Sequence, residues 1–499
     1  MKIPHSYQLF TAESSRELDE RTISEFGVDG FTLMEVAGTR AADFILQHIE
    51  VECHGLFVCG KGNNAGDALV VARLLSEHAI NCTILFVSGT GDLSIDCQRN
   101  LNLLESLGHG IEIIPSFEEL DTTLRFDFIV DGMLGTGLNS DIRSSYSNVI
   151  EWVNEQQSIV FSMDIPSGIS SDSGRILGAA IQADFTLAFG TLKQGFFLNS
   201  GYECCGEIIF CQLPFPSKFK NSTIFLIDEE WVEDLHTQST QSKHKYDGGV
   251  LYIIAGSEGL TGAAILAARS AWSTGLGGVV LITPEGLLEI YEKNLIQIIK
   301  KPIGTKNESF FRADHLEAVK TIIEEKPGNL LIGPGLGRNP ETIEFARNLL
   351  LDYEGRVVID ADALFAISES ELLSKPENAE WILTPHSGEL KRLTGLNEIN
   401  DENRTTISKT FASKHNFTIV SKGLPTVIVT SDRSLMTRYD TRIFSRAGFG
   451  DVLAGKIAGF WLLENNQELA STFALLDGKQ KADNHILVSK KTLEPLDLI

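Results

Sequence analysis

A short apolar run that stops at glycine or a carboxylate and gives way to a helical pattern recurs through both halves of this chain. Residues 55–59 run into Gly60-Lys61-Gly62-Asn63-Asn64-Ala65-Gly66-Asp67, and residues 68–75 continue as a helix. Residues 126–130 stop at Asp131, and residues 158–163 stop at Asp164. The second half repeats the habit at residues 249–255, 278–283, 330–332, 356–359, 381–383 and 417–420. Apolar runs of this length, alternating with helices, belong to a parallel sheet covered on both faces. At 499 residues the chain exceeds one ordinary core. The expected fold is therefore α/β, with two doubly wound three-layer αβα domains. Leu213-Pro214-Phe215-Pro216-Ser217 is a breaker cluster, and mixed polar sequence follows to Lys243. This places a boundary near Asn221 and domains at 1–221 and 222–499. No motif of one half recurs in the other, so the halves are a fusion rather than a repeat.

The net charge of −25 argues against nucleic acid or an anionic membrane as a partner. A phosphorylated ligand must then be held by backbone N–H groups and a few placed cations. No run has the length of a membrane span, and the polar first twenty residues carry no evident address. All seven cysteines lie in the first half without CxxC spacing. They read as buried or incidental thiols in a reducing cytoplasm.

In an open parallel sheet, ligands bind beyond the C-terminal ends of the strands. Asn64, Asp131, and Asp164 with Ser167 all fall there and face one crevice. Each aspartate alone suits a turn or cap; three together, each beside glycine or proline, favour a site. Asparagine carbonyls can ligate a hard cation. The stretch 60–67 lacks GxGxxG and P-loop spacing, so neither label fits. GKGNNAGD, VDGMLGTGL and MDIPSG, in this order, resemble the NAD(P)H-hydrate epimerase domain, which is Rossmann-like. The resemblance implies a K⁺ ion held by Asn64, Asp131 and Ser167. It places the hydrated cofactor against Asn63, Asn64, Ala65, Gly66 and Asp67, and against Gly135, Thr136, Gly137, Leu138, Asn139, Ser140 and Asp141. Asp164 is then the acid/base that manages the hydroxyl at C6. Ala65 and Ala68 stand where the family usually has glycine, and a methyl there would be strained if φ were positive.

Ser445-Arg446-Ala447-Gly448-Phe449-Gly450-Asp451 reads as a tight turn opening into a helix, with N–H groups converging on an anion and Asp451 in the first turn. A helix cap is the plainer reading of that stretch alone. With HKYDGGVLYIIAGS, TGAA, GPGLG, DADAL, LTPHSGEL and KGLPTVI, it resembles the ADP-dependent NAD(P)H-hydrate dehydratase of the ribokinase-like superfamily. By that resemblance Lys422, Gly423, Leu424, Pro425, Thr426 and Gly450 contact the AMP part of ADP. Ala263, Gly335, His386 and Asp451 face the hydrate, Asp451 is the base for phosphoryl transfer, and Mg²⁺ accompanies the nucleotide. Phe449 replaces the usual Ser or Thr, removing a hydroxyl and adding bulk in the anion hole, and Phe365 replaces the Asn that usually follows DADAL. His386 could instead be a core histidine, Asp360 and Asp362 local turn formers, and Lys422 a solvated lysine. The chain is thus expected to act on NADHX and NADPHX as a homo-oligomer. The alternatives are a ribokinase-type small-molecule kinase fused to a nucleotide-binding module, or one catalytically degenerate domain.

Overall fold

The computed structural model describes residues 8–107, 111–227, 249–326, 328–368, 375–401, 403–489 and 491–499. Residues 244–248, which open the HKYDGG motif, lie outside the described residues. The chain divides into two units, Met1–Phe225 and Leu226–Ile499.

The first unit is built on a seven-stranded parallel sheet. Its order is Ile111–Ile114, Asn81–Phe86, His54–Cys59, Phe128–Gly132, Ile159–Met163, Phe185–Phe189, Glu207–Cys211. Counted along the chain, that is the doubly wound Rossmann order with one further strand. Alternate side chains serve opposite faces. Phe57 and Cys59 pack with helices Gly30–Ile45, Asn63–Ser76 and Ile95–Ser106, while Leu56 and Val58 pack with Ser144–Asn154. The strand order reverses between His54–Cys59 and Phe128–Gly132, so a crevice opens beyond their C-terminal ends.

Two local departures from the sequence reading occur at that crevice. Asp131 lies within the strand Phe128–Gly132 rather than after it. The helix begins at Asn63, not at residue 68, with extended Gly62 as its N-cap. Packing overrides the low helix propensity of the Asn-Asn-Ala-Gly start: Gly66 lies so close to Met34 and Cys97 that a Cβ would meet them at 2.5 Å and 3.3 Å. Ala65 and Ala68 are fully buried in this helix and neither has positive φ, so the feared strain is absent. Gly132 leaves the room that the Ala68 methyl fills, since a Cβ on Gly132 would stand 2.6 Å from that methyl and 2.9 Å from the Asn64 carbonyl oxygen. We therefore expect Gly132→Ala to cost about 1–3 kcal/mol in denaturant unfolding, the usual range for overpacking. Adding Ala68→Gly should return part of that loss. Additive losses in the double variant would contradict the packing.

In the second unit the described strands run Ile299–Ile303, Val279–Pro284, Val250–Ile254, Gly328–Ile332, Arg356–Ile359, Glu380–Leu383, Thr418–Ser421, Val427–Val429, Ser434–Met436. They are parallel as far as Thr418–Ser421, and the last two are antiparallel. The reversal again falls between the first and fourth strands of the unit, Val250–Ile254 and Gly328–Ile332. Helices Thr261–Ser273, Phe449–Glu464 and Gln467–Val488 pack together as one row, and Pro340–Asp352, Ala361–Ser368 and Ser387–Thr394 as another. All seven cysteines are free and buried. Among the described residues no helix is long and apolar enough to cross a membrane.

Candidate active sites

The crevice of the first unit holds a cavity of about 790 Å³. Gly62 gives the helix Asn63–Ser76 no side-chain cap, so its first N–H groups remain for a ligand. Asn64 donates through Nδ2 to the Leu134 carbonyl at 3.0 Å. The Ser167 hydroxyl donates to Asp131 Oδ1 at 2.6 Å and accepts from the Leu134 N–H at 2.9 Å. Asn64, Asp131 and Ser167 therefore meet around residue 134. Fully buried Asp131 also accepts from the Ser162 hydroxyl (2.9 Å) and from the N–H groups of Ser167 (2.8 Å) and Met133 (3.2 Å). Burial raises its proton affinity and the Ser167, Ser162 and Met133 donors oppose that; no cation is among the groups that act on it. A buried carboxylate beside neutral oxygens, with no ammonium or guanidinium to balance it, fits a weakly charged hard cation such as K⁺.

Asp164 ends its strand with φ 62°, a left-handed conformation that is strained for a residue with a Cβ. The turn aims its carboxylate at the Phe189 N–H (3.0 Å) and at the Lys193 ammonium. Lys193 is only 1% exposed and also donates to the Thr191 carbonyl at 3.2 Å. Other carboxylates line this cavity, and Asp19 and Asp67 feel the Asp164 charge. Burial and the Asp164 charge push Asp19 up to about 6, against Lys193, and hold Asp67 well above the carboxylate range. The cluster can thus store and pass a proton beside Asp164.

Asn63, Asn64, Asp67, Gly135, Thr136, Gly137, Leu138, Ser140, Asp141 and Asp164 line the cavity. Ala65 and Gly66 instead face the core, where helix packing needs them, and Asn139 is exposed outside the lining. Lys193 and Asp19 escaped the sequence reading. Lys193 ends the short strand Leu192–Lys193, four residues after the strand Phe185–Phe189 and outside any of the motifs, and Asp19 belongs to the helix Ala12–Arg21, which carries none.

In the second unit, Asp360 is buried at the end of Arg356–Ile359 and accepts from the Thr384 hydroxyl (2.7 Å) and Lys422 Nζ (2.8 Å). Lys422 is thus an inward lysine, not a solvated one. Burial works against its charge, and Asp360 and Glu389 outweigh that and hold the ammonium above its ordinary value. The Lys422 ammonium is 3.5 Å from where a Gly450 Cβ would stand, which joins the KGLPT loop to the turn at 448–451. The loop itself is fixed from behind: buried Arg404 donates to the Ser421 carbonyl (2.8 Å) and the Pro425 carbonyl (2.6 Å). Thr426 is likewise turned inward, with its N–H on Thr437 Oγ1 at 3.1 Å.

Gly448, at φ 95°, caps the helix Phe449–Glu464 without a side-chain bond, a conformation that glycine adopts without penalty. Asp451 stands in the first turn. Burial and the charges of Asp360, Asp362 and Glu389 raise it to about 7, with Lys422 pulling the other way. Gly335 and Ala263 adjoin each other, a Gly335 Cβ lying 3.0 Å from the Ala263 methyl. His386 is not a core residue: its side chain is 60% exposed. Its Nδ1 accepts the Gly388 N–H at 3.0 Å, which leaves the proton on Nε2. Partial desolvation of the ring and the Lys422 charge favour its neutral form. Asp362 is not a local turn former: it lies in the first turn of the helix Ala361–Ser368 and accepts the N–H of the distant Gly337 at 2.9 Å.

Phe449 corrects an expectation. Its ring does not fill an anion hole but sits, 3% exposed, in an apolar cluster with Val452, Ala482, Leu493 and Leu498. Packing against that cluster turns this first-turn side chain into the core, away from the N–H groups at the helix start. Phe449→Ser should therefore cost about 3–5 kcal/mol of stability, as for large-to-small core changes, without raising the rate of phosphoryl transfer. A variant as stable as the parent and faster would reverse this placement.

Two switch-point crevices, each with a buried lysine–aspartate pair beside an uncapped helix N-terminus, define a two-domain α/β enzyme of nucleotide chemistry. Among the described residues no group of three His, Cys, Asp or Glu side chains gathers as a metal site. The family described as YjeF-related protein N-terminus matches residues 30–195, and the family described as NAD(P)H-hydrate dehydratase matches residues 251–492. The bifunctional NAD(P)H-hydrate repair enzyme of Salinibacter ruber is 31% identical over 472 residues, covering 90% of this chain and 87% of that one. The chain belongs to the family of bifunctional NAD(P)H-hydrate repair enzymes. A ribokinase-like superfamily protein from Enterococcus faecalis matches 56% of this chain and 93% of its own at 20% identity, TM-score 0.48. A Bacillus subtilis ADP/ATP-dependent NAD(P)H-hydrate dehydratase, co-crystallized with ATP and Mg²⁺, matches 52% of this chain and 88% of its own at 26% identity, TM-score 0.43.

Proposed function

We propose that the chain repairs hydrated nicotinamide cofactors in two steps, epimerising the hydrates in residues 1–221 and dehydrating the S epimer with ADP in residues 222–499. The observation that carries this reading is Asp451, a carboxylate raised to about 7 at the head of an uncapped helix and next to Lys422. A base of that affinity takes a proton from an alcohol as phosphoryl transfer begins and is mostly ionised just above neutrality. The C6 hydroxyl of the hydrate attacks the β-phosphorus of ADP, Asp451 takes its proton, and AMP leaves. The helix N–H groups and Lys422 face the transferring charge. Hydroxide, a poor leaving group, has become phosphate, which departs from C6 as the ring nitrogen lone pair moves in; proton loss from the neighbouring carbon restores the dihydropyridine. Mg²⁺ would come to this unit as the escort of the ADP phosphates, and the carboxylates of Asp360 and Asp451 are the groups that would hold it.

In the first crevice the C6 hydroxyl leaves with a proton from the Asp164–Lys193 pair and water returns on the other face. Asp67 and Asp19, both of raised affinity, are placed to resupply that proton. The K⁺ ion would be held by Asn64, Asp131 and Ser167, where its charge balances Asp131. The experiment is product analysis with purified S hydrate and ADP, which should give reduced cofactor, AMP and phosphate one for one. A stable phosphate ester accumulating instead would mean a kinase.

A further inference from the structure

Beyond the residues assigned above, the second unit carries a cationic pair, one member in the loop after the strand Gly328–Ile332 and the other in the helix Ser387–Thr394. The Arg338 guanidinium lies over the Phe365 ring at 4.7 Å from the centroid, and that of Arg392 at 5.1 Å from the same centroid. Arg338 comes three residues after Gly335, and Arg392 six after His386, so the pair adjoins two positions expected to face the hydrate. Asp362 holds Arg338 in place through Nε at 2.8 Å while itself capping Gly337. Arg392 is exposed and has no carboxylate partner among the described residues. Both guanidiniums act on His386, disfavouring its protonated form together with Lys422.

Two like charges stacked on one ring repel each other, and no carboxylate among the described residues pairs with Arg392 to offset that repulsion. The ring offsets part of this cost through cation–π attraction, and a bound anion would offset the rest. Guanidinium is also the side chain best matched to phosphate oxygens. We infer that Arg338 and Arg392, positioned by Phe365, form a subsite for a phosphate group of the hydrated dinucleotide. Phe365, standing where the family usually has asparagine, is the positioning residue. The inference rests on the dehydratase reading of this unit. The phosphate comes from the diphosphate bridge or from the 2′-phosphate of NADPHX, and the chemistry of recognition is the same.

The test is steady-state dehydration of NADHX and NADPHX at saturating ADP by the full chain and by Arg338→Ala, Arg392→Ala, Arg392→Lys and Phe365→Asn. A lost charge-assisted bond raises KM for the hydrate about tenfold or more, with kcat and the KM for ADP unchanged. Arg392→Lys should recover part of it, and Phe365→Asn should fall between. A rise for both hydrates assigns the diphosphate, and a rise confined to NADPHX assigns the 2′-phosphate. Unchanged KM values for both would overturn the subsite. If the parent chain turned over no hydrate, the dehydratase reading would fail; the subsite would then be read from NADPH titration of the full chain. Arg392→Ala must weaken one class of sites there, and identical isotherms would sink it.

Discussion

Asp451→Asn should abolish ADP-dependent dehydration, lowering its rate by about 10³-fold or more, while leaving the protein at least as stable as before. The rate loss follows from removing the group that takes the hydroxyl proton, a contribution that is ordinarily worth 10²–10⁴. The stability claim follows from linkage. Asp451 binds its proton with an affinity of about 7 in the folded chain against 3.8 as a free carboxylate, so the folded state resists its ionisation. That cost is absent below 3.8, grows as pH rises through the interval, and is fully present above 7. Asparagine never ionises, so the variant's unfolding temperature should exceed the parent's above neutrality and converge with it in acid. In the parent, kcat/KM for dehydration should rise with pH through the same upper value, because only the ionised form is a base. A variant that keeps activity would remove Asp451 from the chemistry. One that loses activity and melts earlier at every pH would make it a structural residue.

Asp164→Asn should silence the first unit alone. The substitution keeps volume but breaks the ion pair with Lys193, which is 1% exposed, and removes the proton carrier at the strand end. Loss of a general acid–base of this kind again lowers the rate by about 10²–10⁴. In a mixture of hydrate epimers with ADP, the variant should restore reduced cofactor in one fast phase whose amplitude equals the S fraction, then stall. The fast phase is an internal check that the second unit is folded and active. A second phase at the parent's rate would show that the carboxylate is dispensable.

Much of this arrangement was legible in the residues because a doubly wound sheet writes its crevice into the chain. Asn64, Asp131 and Ser167 are far apart in sequence, yet each follows or ends an apolar run, and the structure gathers them at residue 134. Asp451 behind Gly448 announced itself the same way. What escaped were residues whose role depends on three-dimensional approach. Lys193 pairs with Asp164 from a two-residue strand, and Asp19 feels its charge from a helix, neither with a motif of its own. Arg404 holds the loop 421–425 from a helix whose sequence reads as ordinary surface. The orientation of Phe449 could not be read either, since a first-turn residue of a helix faces ligand or core according to packing alone. Whether Ala68 is strained could not be read for a related reason: the glycine that accommodates this helix residue, Gly132, lies on a strand far along the chain.

Two sites in one chain should carry a hydrate mixture completely back to reduced cofactor. The measurement that tests it most directly is the near-ultraviolet dihydronicotinamide absorbance of an epimeric NADHX mixture, followed after adding the full chain with K⁺, Mg²⁺ and ADP. The account predicts recovery of the whole absorbance, with one AMP formed per reduced cofactor. Recovery that stops at the S fraction in the parent chain, or none despite bound nucleotide, would contradict it.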